Sequence, residues 1–134
     1  MLVLNDGFEY INELNALNVL DNLMGSEKIP KIITVFVEST KDRTENLQCS
    51  DEFTDFIGKE LISYIKENYN VSDNPKKILS VDIVLVDLHI GLRYSDIFGN
   101  VLSQSGSYWY KRKEYGDDEC TWIIMNLIKK KNCH

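Results

Sequence analysis

Much that would announce a chemistry is missing from these 134 residues. No apolar run approaches the roughly 20 residues needed to cross a bilayer. The longest, 32–37 and 81–88, are of strand length, and the second carries aspartates. The opening MLVLNDGFEY has no basic start, long apolar middle or small-residue cleavage site. The expectation is therefore no secretory signal and a cytoplasmic location. Three cysteines, Cys49, Cys120 and Cys133, cannot all pair within one chain, and none stands in a CxxC or Cys/His spacing, so reduced thiols are expected and no metal or other cofactor. The seven glycines form neither GxxxxGK[ST] nor GxGxxG, which excludes the common phosphate cradles. GxSxG is absent too, and Ser103, Ser105 and Ser107 in VLSQSGSY have no histidine near them in sequence, so nothing in the motifs supports nucleophilic catalysis.

What is present suits a folded globular chain. Hydrophobic residues make up 43% and charged residues 27%, close to globular averages, and a chain this long can bury one core without staples. One domain, 1–134, is expected. The net charge of −6 is unevenly spread: residues 1–75 hold 14 acids and 6 bases (−8), residues 76–134 hold 7 acids and 9 bases (+2). The acidic part repels polyanions and steers basic proteins inward, so neither nucleic acid nor membrane is expected as a partner.

Local patterns predict the elements. Ile11, Leu14, Leu17, Leu20 and Met24 recur at helical spacing between Phe8 and Met24, with Asp6 as N-cap and Gly25 as the closing residue. KIITVFVES after Pro30 reads as a central strand. Phe53, Phe56, Ile57, Leu61, Tyr64 and Ile65 mark the apolar face of a helix from Asp51 to Asn68, with Asp51, Glu52 and Asp55 complementing its dipole. From Ile78 onward the chain reads as a β-meander: Ile78–His89, bent at Gly91, then Leu92–Ile97, Val101–Tyr110 and Cys120–Lys129. The sum is an α+β fold, two helices packed on one face of a mostly antiparallel sheet of about five strands.

Three groups of residues bear on function. Asp82, Asp87 and His89 invite a metal-dependent or acid/base enzyme. In an extended strand, however, Asp87 and His89 share one face and Asp82 takes the other, so the three do not converge. Tyr108, Tyr110 and Arg112 within YWYKRK have the composition of a single-stranded nucleic-acid adaptor, opposed by the acids that follow. Glu114, Asp117, Asp118 and Glu119, flanked by Tyr108, Tyr110 and Tyr115, exceed what a hairpin turn needs and match an interface of aromatic anchors and steering charges.

In its general character, an acidic α+β chain without a catalytic motif but with an aromatic and carboxylate-rich loop, the whole sequence resembles bacterial immunity proteins, including those of contact-dependent growth inhibition. The resemblance implies a non-enzymatic inhibitor, monomeric or weakly dimeric. It would neutralise a cognate toxin, expected to be a nuclease, by setting carboxylates in the toxin's basic cleft. Tyr108, Tyr110, Glu114, Tyr115, Asp117, Asp118 and Glu119 are the residues expected to bind that partner.

Overall fold

The computed structural model describes residues 1–38, 50–82 and 86–104. Strand β1 (Leu2–Asn5) leads through two short helices, α1 (Gly7–Asn12) and α2 (Ala16–Gly25), to β2 (Thr34–Val37). A long helical segment follows: α3 (Asp51–Asp55), a π-helical turn (Phe56–Leu61) and α4 (Ile62–Asn68). A 3₁₀ turn (Pro75–Lys77) then enters β3 (Leu79–Asp82), α5 (Val86–Arg93) and β4 (Asn100–Ser103).

All pairings in the described sheet are parallel, with strand order β2-β1-β3-β4. Parallel neighbours need crossovers of a dozen or more residues, and the helical stretches between strands supply them. Val3, Val37 and Ile78 on one side of the sheet pack against Phe53, Ile57 and Ile62 of the long helical segment and Ile90 of α5. Leu4 and Val81 on the other side meet Tyr10 of α1, with Leu2, Ala16, Phe36 and Leu79 at the margin. Helices cover both faces, the doubly wound arrangement expected of a parallel sheet.

This overturns the antiparallel α+β expectation. The apolar stretch after Ile78 is not one strand. It is a four-residue strand ending at Asp82, followed by a helix from Val86. A buried parallel strand and a buried helix both read as continuous apolar runs, so periodicity does not separate them. Gly91 is not a strand bend. It lies inside α5, where a Cβ would run into the Val101 side chain of β4. Residues 92–97 form the helix end and a turn, and β1 arises where no strand was expected. The central strand predicted in KIITVFVES exists as β2, at the edge of the described sheet and not its centre. The fourth meander strand, 120–129, lies outside the described residues.

The first predicted helix is two helices, broken at Glu13–Asn15, with Asn15 in the left-handed region at φ 51°. Its apolar stripe is not buried: Leu14 is 53% and Leu17 47% exposed. Asp6 precedes α1 without capping it through its side chain, and the left-handed residue after α2 is Glu27, not Gly25. The second predicted helix does form over 51–68. It begins at Ser50, whose Oγ accepts from Phe53 N at 3.2 Å. The π turn inserts one residue into its phase, so the buried positions run Phe53, Ile57, Ile62, Ile65, while Phe56 is 40% and Tyr64 58% exposed.

Candidate functional site at the carboxyl ends of β1 and β3

From β1 the chain first adds β2 on one side and later β3 on the other. In open α/β sheets the crevice at such a reversal, beyond the carboxyl ends of the strands, is where ligands bind. Here β1 ends at Asn5 and Asp6, β3 at Asp82, and α5 starts beside them with Asp87. All four side chains are buried to within 1% of complete.

Their bonding is specific. Asn5 Nδ2 donates to Asp87 Oδ1 at 2.7 Å, and the hydroxyl of Ser80, also fully buried, donates to the same oxygen. Asn5 Nδ2 also lies 3.3 Å from Ser80 Oγ. Asp87 Oδ2 and Asn5 Oδ1 have no hydrogen-bond partner among the described residues. A buried polar atom left unpaired costs on the order of 1–3 kcal/mol, so both call for an explanation. Burial, reinforced by the charge of Asp82, pushes the Asp87 carboxyl up to about 8 against the pull of Ser80 and Asn5. Tyr10, whose hydroxyl donates to Gln104 Oε1 at 2.9 Å, is pushed up to about 12 by burial and then by Asp82, Asp87 and Asp6. Asp6 is held at φ 72° and ψ 42°, a left-handed conformation that costs a non-glycine residue of order 1–3 kcal/mol and concentrates at functional sites. Gly7 after it is required by space, because a Cβ there would meet Phe36 Cβ at 2.9 Å.

The predicted trio is rearranged. Asp87 and His89 sit on a helix, where side chains two residues apart diverge. Asp82 and Asp87 come together while His89 turns away, its Nδ1 3.3 Å from Thr54 Oγ1 and its Nε2 3.5 Å from Asp51 Oδ1. Asp51 and Asp55, expected only to favour a helix dipole, also receive Arg93 at 2.8 and 2.9 Å, and Asp55 accepts from Tyr94 at 2.6 Å. Sequence reading missed Asn5, Asp6 and Ser80. For Asn5 and Asp6 the available signal was the run LVL broken by Asn-Asp-Gly, a strand end meeting a helix start; Ser80 had none. Tyr108, Tyr110, Arg112, Glu114, Tyr115, Asp117, Asp118 and Glu119 lie outside the described residues.

A parallel sheet covered on both faces, with polar side chains gathered at its switch point, is an open, doubly wound α/β fold, and its match to esterase structures marks it as α/β-hydrolase-like. Two crystal structures of the enterobactin esterase from Shigella flexneri share it. The one obtained with 2,3-di-hydroxy-N-benzoyl-glycine has a TM-score of 0.78 and 26% identity, covering 98% of this chain and 35% of that one. The one obtained with enterobactin has a TM-score of 0.79 and 25% identity. Residues 1–124 match the family described as "Putative esterase", and the chain belongs to that family. The iron(III) enterobactin esterase of Escherichia coli K12 is 29% identical over 118 residues, 84% of this chain and 30% of that protein. The uncharacterized protein YbbA of Bacillus subtilis is 27% identical over 115 residues, 72% of this chain and 46% of that protein. The chain thus spans less than half the length of these curated relatives.

Family membership overturns the immunity-protein resemblance and with it the non-enzymatic, toxin-binding reading and the nucleic-acid-adaptor alternative. Composition misled because an acidic surface reports on solubility and encounter, not on fold or chemistry.

Proposed function

We propose that this chain, as one α/β unit, hydrolyses small-molecule esters at the switch point between β1 and β3. The observation that carries the reading is the family match over 1–124. The buried cluster of Asn5, Ser80, Asp82 and Asp87 at the ligand-binding edge of the sheet supports it. The relatives named for iron(III) enterobactin make esters of catecholate-bearing siderophores the substrate class of choice.

The test is incubation of the purified chain with enterobactin, free and iron-loaded, and with p-nitrophenyl acetate, following products by mass spectrometry. Time-dependent, enzyme-proportional release of 2,3-dihydroxy-N-benzoyl-serine species supports the full reading. Turnover of p-nitrophenyl acetate alone keeps the reaction class and rejects the substrate. No turnover of either rejects the function.

A further inference from the structure

In a parallel sheet every strand runs the same way, so the loops that lead from helix to strand all land at one edge. Residues 30–33 lead into β2, and residues 70–77 lead from α4 toward β3. Both arrive at the amino ends of the strands, opposite Asn5, Asp6 and Asp82. Between them lies a cavity of about 660 Å³, open to solvent. Small-molecule sites span roughly 300–1,000 Å³. Four residues of strand, at roughly 3.3 Å each, separate it from the switch point, so it is a different place from the ester site proposed above.

Its wall is aliphatic: Met1, Pro30, Ile32, Ile33 and Val71. Its side-chain charge has one sign. Lys31 and Lys77 line it, and no aspartate or glutamate does so among the described residues. Ion pairs among the described residues engage Lys59, Lys66 and Arg93 and leave Lys31 and Lys77 without a carboxylate. Asp73, the acid adjoining the loop at 70–72, is taken up by Lys66 at 2.8 Å. Two uncompensated cations beside an apolar wall run against the background of a chain with net charge −6. That background does not decide the matter locally, because acids beyond about 8 Å are screened at physiological ionic strength while a contact pair is not.

We propose that this cavity binds a medium-chain alkyl carboxylate, its carboxylate paired with Lys31 and Lys77 and its chain laid on Ile32, Ile33 and Val71. The wall selects the chain, since each methylene removed from water adds affinity. It offers no aromatic ring among the described residues for a planar acid to stack on. The lysines select the charge, so the matching alcohol binds less well.

The experiment uses the intact chain, labelled with ¹⁵N and titrated at pH 7 with octanoate, acetate and 1-octanol, following amide shifts and calorimetric heats. Saturable octanoate shifts at residues 31–33 and 70–77 support the site, with octanoate at least tenfold tighter than acetate or octanol. A loss of at least tenfold in octanoate affinity in the double variant Lys31→Gln, Lys77→Gln supports the role of the lysines. Both are exposed, and mapping on the unaltered protein decides the matter even where the variant does not fold. Octanol as tight as octanoate overturns the charge selection, and acetate as tight as octanoate overturns the role of the wall. No saturation, or shifts confined to Asn5, Ser80 and Asp87, overturns the site itself. Octanoate has no ester bond, so none of these outcomes depends on turnover and the esterase reading is tested separately.

Discussion

Asn5 Nδ2 donates to Asp87 Oδ1 across 2.7 Å, joining residues 82 positions apart and fastening the end of β1 to the first turn of α5. That single bond ties together the two elements on either side of the switch point. Asn5 and Asp87 meet only once the parallel pair β1–β3 has formed.

Stability should therefore fall as the solution turns alkaline. Unfolded, the Asp87 carboxyl gives up its proton near the ordinary value of 3.8; folded, it keeps it to about 8. Between those limits the folded chain binds the extra proton, so its contribution is complete below 3.8 and is lost as pH rises toward 8, at about 1.4 kcal/mol per pH unit at most. Urea midpoints at pH 5, 6, 7 and 8 should decline in the unaltered protein and decline much less in Asp87→Asn. Parallel curves would show that Asp87 ionises normally in the fold.

The acidic side has a different origin. Asp55 is held below its usual value, first by its bond to Lys59, then by that from Tyr94, with Arg93 adding charge. That contribution is present above 3.8 and lost as pH falls below it. Arg93 bridges Asp51 and Asp55 at 2.8 and 2.9 Å, clamping α3 to α5. All three side chains are partly exposed, so Arg93→Met should cost only about 1 kcal/mol in low salt, and less in 1 M salt, where screening is strong. A salt-independent cost would assign the effect to packing of the arginine stem.

How much of this could be read from the sequence depends on whether the evidence is local. The helix over 51–68 was legible because its apolar spacing and first-turn acids lie within one segment. The sheet was not. Whether Leu79–Asp82 pairs parallel or antiparallel depends on partners at Leu2–Leu4 and Asn100–Ser103, and nothing within ILSVDIVLVDLHI records where strand yields to helix. Asp82, Asp87 and His89 stand out in the sequence as the one group that invites a metal or acid/base reading. Their grouping was inverted because a helix beginning at Val86 replaces the alternation of a strand. Asn5 and Ser80 carry no chemical signal on their own and become site residues only through burial against Asp87.

Gly58 tests the docking of the π turn on the end of α5. A Cβ at this position would lie 2.5 Å from the Tyr94 ring, whose hydroxyl donates to Asp55. Gly58→Ala gains up to about 1 kcal/mol of helix propensity but forces the ring aside. A net destabilisation of about 1–2 kcal/mol is expected. Combined with Tyr94→Leu, the cost should shrink and the two changes should be non-additive. A Gly58→Ala protein as stable as the parent would mean that the ring has room to move.

The most discriminating substitution pair distinguishes the helix seen from the helix expected. Regular 3.6-residue spacing from Phe53 and Ile57 makes Leu61 the next core position. The extra residue in the Phe56–Leu61 turn hands that position to Ile62, which is 2% exposed, and leaves Leu61 packed against the edge of the cluster. Deleting a fully buried isoleucine side chain removes its transfer free energy and leaves a cavity. Ile62→Ala should therefore cost about 2–5 kcal/mol, measured by urea unfolding, and Leu61→Ala about half as much or less. If Leu61→Ala is the more damaging change, the segment is an uninterrupted α-helix in solution. In that case the apolar face derived from periodicity alone is the correct one.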